Sequence, residues 1–168
     1  MKKAILLSGG IDSICLAYHL KPEIAYTINY GQKPADREIY ISTLICYRLG
    51  IRHETITVDC KSLGSGTLIG TDSLEISPSN EWWPFRNQLL ITLSLMKAVK
   101  DGVSELHLAS VKTDNFHKDG TAQFYKLMND LSRYQEGGVK IKCETLDYYS
   151  HEIALQYKVP NDLLLLAH

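Results

Sequence analysis

Ala4-Ile5-Leu6-Leu7-Ser8-Gly9-Gly10-Ile11-Asp12-Ser13 decides the fold. Its four apolar residues form a short continuous run, the pattern of a strand buried on both faces of a parallel sheet. Ser8-Gly9-Gly10 supplies a turn. Asp12 to Leu20 then carries Ile14, Cys15, Ala17, Tyr18 and Leu20 at helical spacing, and Pro22 marks the exit. A strand, a glycine turn and a helix in that order open an α/β unit.

The same alternation continues outward. Residues 23–30 read as a strand broken by Gly31, and Ala35 to Leu49 as a helix stopped by Gly50. Arg52 to Val58 reads as the third strand, and residues 61–85 form a long segment without a period. A helix is expected over Arg86 to Lys100, with Leu89, Leu90, Leu93, Met96 and Val99 inward. Leu106 to Val111 is the fourth strand, and Lys112 to Gly120 a polar loop. Thr121 to Tyr134 is a helix with Phe124, Leu127, Met128 and Leu131 inward, and Val139 to Thr145 the fifth strand. A helix from Ser150 to Tyr157 and an apolar tail, Leu163 to Leu166, follow. The pattern predicts an α/β fold: one Rossmann-like, doubly wound domain spanning 1–168, with a five-stranded, mainly parallel sheet. Its ligand site should lie at the carboxyl ends of the strands, where strand order reverses.

Composition bounds the function. The 168 residues are 45% hydrophobic and 22% charged, with 18 basic and 19 acidic side chains and a net charge of -1. A globally basic nucleic-acid binder is disfavoured. The opening residues are too short for a signal peptide, and no apolar run approaches the ~20 residues that span a bilayer. Cys15, Cys46, Cys60 and Cys143 stand far apart with no C-x-x-C pair, so neither a zinc knuckle nor a disulfide framework is written here. A reduced, cytoplasmic, single-domain protein is expected.

Ser8-Gly9-Gly10-Ile11-Asp12-Ser13 has the chemistry of a phosphate cradle. Two glycines allow a sharp turn that brings bare N–H groups against a polyanion. The helix N-terminus adds its positive dipole end. Ser8 and Ser13 can donate to phosphate oxygens, whereas Asp12 would repel phosphate unless it holds a cation such as Mg²⁺ or caps the helix. The competing reading is an ordinary strand-to-helix turn.

The string S-G-G-x-D-S resembles the PP-loop of the N-type ATP pyrophosphatases. No Walker A pattern occurs. Tyr30-Gly31-Gln32 with Glu38-Ile39, Pro84-Phe85-Arg86-Asn87-Gln88, and Thr113-Asp114 are similar to segments of the 7-cyano-7-deazaguanine synthase branch. The resemblance implies a carbon–nitrogen ligase that adenylates 7-carboxy-7-deazaguanine with ATP and Mg²⁺ for attack by ammonia. The resulting amide is then activated and becomes the nitrile. It implies ATP binding by Leu7, Ser8, Gly9, Gly10, Ile11, Asp12, Ser13, Tyr30 and Gln32. Asp12, Ser13 and Arg86 would serve catalysis, and Arg86, Asn87, Thr113, Asp114 and His151 would hold the substrate. Trp82, Trp83 or Phe85 could stack on a flat heterocycle, and a homodimer using an exposed Trp82-Trp83 loop is expected. Each assignment has a structural rival: Arg86 could tie down the long loop, Asp114 could cap a turn, and both tryptophans could pack the core.

Three departures from the branch stand out. Its synthases end with a four-cysteine zinc cluster, and no cysteine follows Cys143 here, so the Zn²⁺ ligands are absent and the chain is either truncated or reduced. His151 stands where the branch tends to carry Lys, which makes the local charge pH-dependent. Phe85 stands where the branch has Gly, removing backbone freedom and placing a ring at the expected pocket mouth. Two alternatives stay open: another PP-loop adenylating enzyme acting on tRNA, and a nucleotide-binding module without turnover.

Overall fold

A computed structural model describes residues 1–167. Five strands, β1 (Lys3–Leu6), β2 (Ile24–Asn29), β3 (Arg52–Thr57), β4 (Glu105–His107) and β5 (Lys140–Lys142), form one sheet in the order β3-β2-β1-β4-β5. Every pairing is parallel, with Ala4 opposite Ile24 on one side and Leu106 on the other. The order reverses between β1 and β4, which places the switch point directly beside the Ser8 turn.

Among the described residues, six α-helices cover the two faces. They are α1 (Ile11–Leu20), α2 (Ala35–Leu49), α3 (Arg86–Lys100), α4 (Ala122–Tyr134), α5 (Ser150–Gln156) and α6 (Asn161–Leu164). Ile5, Leu7 and Ala25 point to one face, where Ile14, Leu16, Ile45, Ile153 and Leu163 from α1, α2, α5 and α6 meet them. Ala4, Ile24 and Leu106 point to the other and pack on Ala98 of α3. Leu108 and Ile141 pack there on Ile91 of α3 and on Tyr125 and Met128 of α4. Alternate side chains of each strand thus feed alternate cores, as a doubly wound sheet requires. Helix α2 ends where Gly50 takes a left-handed conformation (φ 68°) and its N–H bonds back to Cys46 O and Tyr47 O.

Four expectations are corrected. Strand β4 is shorter than Leu106 to Val111, because residues after His107 leave the ladder to build the site; only Leu108 N still reaches a neighbouring strand, at Lys142 O (2.9 Å). Along α3 the buried positions are Ile91, Ser94 and Ala98, whereas Met96 and Val99 are exposed. Leu127 and Leu131 of α4 are exposed as well, because its buried face runs through Tyr125, Met128 and Ser132. The apolar tail becomes α6, because Pro160 starts a turn whose Leu163 enters the core under α1.

Candidate active site

The phosphate-type loop is built as its residue types require. Gly9 adopts φ 80°, a conformation that glycine takes without steric cost, and Gly10 is the N-cap of α1. No side chain caps this helix. Its first amides are therefore left to solvent or a ligand. Ser13 Oγ donates to Gly10 O (2.9 Å) and lies 3.3 Å from Ser8 Oγ, so both hydroxyls gather over the turn. Asp12 does not cap the helix. Its Oδ1 is buried without a hydrogen-bond partner. Burial raises its pKa above the usual 3.8, the Ser150 hydroxyl opposes that shift, and the Asp114 carboxylate adds to it.

A cavity of about 300 Å³ opens at the β1/β4 switch point. Ser8 and Ser13 come from the loop, Tyr30 from the end of β2, Glu38 from α2, Arg86 and Asn87 from the start of α3, Ser110 from beyond β4 and Tyr125 from α4. Burial pushes the pKa of the Tyr30 hydroxyl up to about 12, and the nearby Arg86 charge opposes that rise. Its ring meets Trp83 edge-on at 4.8 Å. Asn87 Nδ2 donates to Asp119 O (3.0 Å), tying α3 to the loop before α4. Ser110 and Tyr125 share a hydrogen bond, and Thr145 Oγ1 donates to Ser110 O (2.7 Å). The concave site therefore offers hydroxyl donors and unpaired amides at one wall and a guanidinium at another, a set suited to anionic substrates.

Residues 2–157 match the family model described as "Queuosine biosynthesis protein QueC". This chain belongs to the QueC family. It is 29% identical over 151 residues to "7-cyano-7-deazaguanine synthase 1" of Desulfitobacterium hafniense (strain Y51), covering 80% of this chain and 68% of that protein. It is 28% identical over 174 residues to "7-cyano-7-deazaguanine synthase" of Desulforudis audaxviator (strain MP104C), covering 91% and 79%. A crystal structure of the bulky-bulky ketone specific alcohol dehydrogenase from Comamonas testosteroni aligns over 99% of this chain and 84% of its own, at TM-score 0.42 and 11% identity, too weakly to bear on function.

QueC membership makes this a ligase-type enzyme and implies ATP use, which the loop accommodates. The structure brings Ser8, Ser13, Tyr30, Arg86 and Asn87 to one cavity; Leu7 lines it through the same strand end, while Gly9, Gly10 and Ile11 shape the turn. It brings Gln32, Thr113, Asp114 and His151 elsewhere. Gln32 is buried and spends its amide on Tyr30 N, Ile28 O and Glu38. Asp114 Oδ2 accepts from Val111 N (3.0 Å), and Thr113 is exposed beside it. His151 is exposed on α5 and stacks on Tyr149.

Two aromatic expectations are also corrected. Trp83 is buried at 3% exposure among Ile28, Tyr30 and Cys60, so it anchors the long loop instead of presenting an aromatic surface. Phe85 faces outward into a groove with Ile76, Trp82 and Phe116, away from the cavity. Glu38, Ser110 and Tyr125 enter the site without having been assigned to it. Glu38 follows the Tyr30-Gly31-Gln32 segment closely and was the more legible; Ser110 and Tyr125 meet only through the β4–α4 packing.

The residues fit Mg²⁺. A buried, unpartnered carboxylate oxygen on Asp12 with Asp114 nearby matches an ion that takes one or two carboxylates and leaves its other positions to phosphate and water. They do not fit Zn²⁺: among the described residues no group of three or more His, Cys, Asp or Glu could hold a metal. No helix among the described residues is long and apolar enough to cross a membrane.

Proposed function

We propose that the chain is a 7-cyano-7-deazaguanine synthase, one PP-loop domain that uses ATP to activate the carboxylate of 7-carboxy-7-deazaguanine. The observation that supports this most is the convergence of the Ser8–Ser13 loop and Arg86 on one cavity at the switch point. The loop amides and the two serine hydroxyls would hold the phosphates, and Arg86, beside Tyr30 in the same cavity, would fix the substrate carboxylate for in-line attack on the α-phosphorus. That attack forms an acyl-adenylate and releases pyrophosphate. Ammonia then adds to the acyl carbon, AMP leaves, and the nitrogen loses protons to give the amide. A second ATP activates the amide oxygen, and departure of AMP with the remaining N–H protons leaves the nitrile. Asp12, with Asp114 close by, would hold Mg²⁺, which supplies charge neutralisation on the leaving pyrophosphate.

The experiment is direct. Purified protein with ATP, Mg²⁺, ammonium and the carboxy-deazaguanine should release AMP and pyrophosphate in equal amounts, two of each per nitrile. ATP-dependent thermal stabilisation with no AMP under any of these conditions would favour a nucleotide-binding module and overturn the ligase reading. The same reading includes ammonia as donor, a cytoplasmic location and a homodimer. The groove of Ile76, Trp82, Phe85, Phe116 and Leu127 supports the last, and sedimentation equilibrium tests it.

A further inference from the structure

We propose that Glu38 selects the guanine-like ring of the substrate, with Gln32 as the positioning residue that holds its carboxylate; this rests on the ligase reading above. Glu38 stands in the first turn of α2 and lines the cavity beside Tyr30 and Arg86. Gln32, 3% exposed, accepts from Tyr30 N (2.9 Å) and donates from Nε2 to Ile28 O (2.9 Å) and to Glu38 Oε2 (2.7 Å). A buried amide with two bonds to the end of β2 and a third to Glu38 is fixed in orientation. It therefore fixes one oxygen of Glu38 relative to the strand end.

The chemistry of the cavity divides two recognition tasks. Arg86 carries donors alone and suits the substrate carboxylate or a phosphate. A guanine-like ring also presents two adjacent N–H donors, at N1 and the 2-amino group, and a carboxylate meets such a pair with two parallel bonds. An adenine-like ring presents a lone pair at N1, which a carboxylate repels. Asp114 is turned to Val111 N, and Glu38 is the carboxylate among the cavity's lining residues. Tyr30, Glu38 and Arg86 line the same cavity, so the two recognition groups face one ligand space.

The test compares 7-carboxy-7-deazaguanine with the matching 7-carboxy-7-deazaadenine, by pyrophosphate release and by calorimetric binding of each base. Wild type should prefer the guanine-like substrate by about ten- to a hundred-fold in kcat/KM. Glu38→Gln should reduce that preference to a few-fold by raising KM for the guanine-like substrate while KM for ATP stays unchanged. Gln32→Met should move both quantities the same way by less. ATP-dependent thermal stabilisation of each variant shows that the fold and loop survive. A Glu38→Gln enzyme that keeps the preference, or that loses kcat equally on both substrates at unchanged KM, overturns the assignment. If wild type shows no turnover, the ligase reading fails by itself, and calorimetry decides the ring selection: equal affinity for the two bases, or none for either, overturns it.

Discussion

Tyr30 and Arg86 line one cavity, bringing the end of β2 to the start of α3, and the guanidinium charge opposes the rise that burial gives the Tyr30 hydroxyl pKa. Arg86 shares that cavity with Ser8 and Ser13. Arg86→Ala should lower kcat/KM for pyrophosphate release by about a hundred- to a thousand-fold, the usual loss when a donor aimed at developing charge is removed. Tyr30→Phe keeps the ring against Trp83 and removes only the hydroxyl, so a loss of about three- to ten-fold is expected. Steady-state kinetics would count against the arrangement if Tyr30→Phe were as damaging as Arg86→Ala.

Asp12 gives a prediction with two opposite signs. Burial, and then the neighbouring Asp114, raise its pKa, so the folded chain holds this proton to higher pH than the unfolded chain does. Its contribution to stability is full below the ordinary carboxylate value and is lost as pH rises through the raised one. At neutral pH this carboxyl therefore weakens the ligand-free fold. Asp12→Asn should raise the melting temperature of the ligand-free protein at pH 7, on the order of 2–4 °C. That gain should vanish on acidification below the usual carboxylate range. The same variant should lose the extra stabilisation that Mg²⁺–ATP gives wild type. A variant that melts lower at pH 7 yet keeps the Mg²⁺–ATP effect would reverse both signs.

What was legible beforehand follows from which interactions are local. Helix α2 was placed by its own Gly50 stop and α3 by the residues that resume a helical period after the long loop. The PP-loop is contiguous, so its shape followed from six neighbouring residues. The remainder of the cavity was not contiguous. Ser110 and Tyr125 are 15 residues apart and meet through tertiary packing alone. Asp114 carries a carboxylate in the expected segment, but a backbone amide three residues earlier takes it. Glu38 stood close to the Tyr30-Gly31-Gln32 segment, yet nothing in the local pattern shows that Gln32 turns inward to hold it. Hydrophobic period also misled on α3, where Met96 and Val99 fit a stripe that the buried small residues Ser94 and Ala98 displaced.

Phe85 tests the backbone at the entry to α3. It adopts φ 56°, in the left-handed region, and its side chain is 75% exposed. An L-residue there bears a cost of about 1–2 kcal/mol that glycine avoids. Phe85→Gly should therefore be neutral or stabilising, by up to about 1 kcal/mol after the added freedom of the unfolded chain is subtracted. Chemical denaturation would read it as a higher midpoint at unchanged slope. Phe85→Ala keeps the strain and loses the ring, so it should be no better than wild type. A destabilised Phe85→Gly would mean that the ring's place in the groove with Ile76, Trp82 and Phe116 outweighs the backbone strain.

His107 makes the fold itself sensitive to acid. Its side chain is 2% exposed, 3.6 Å from Glu105 and 3.7 Å from Glu144, and neither ring nitrogen has a hydrogen-bond partner. Burial, the largest influence, lowers its pKa below 6.5; Glu144 and Glu105 draw it back up, and Lys3 and Lys142 push it down. The unfolded chain therefore takes up this proton at a higher pH than the folded chain does. Between those two values the unfolded state binds more protons, so stability rises with pH and is lost on acidification. His107→Gln cannot titrate, and its melting temperature should fall less than that of wild type between pH 7.5 and pH 5, by a difference on the order of 2–4 °C. Above pH 7 the two curves should run parallel, separated only by the change in packing. Parallel curves over the whole range would place the acid sensitivity on the carboxylates around His107 and not on the imidazole.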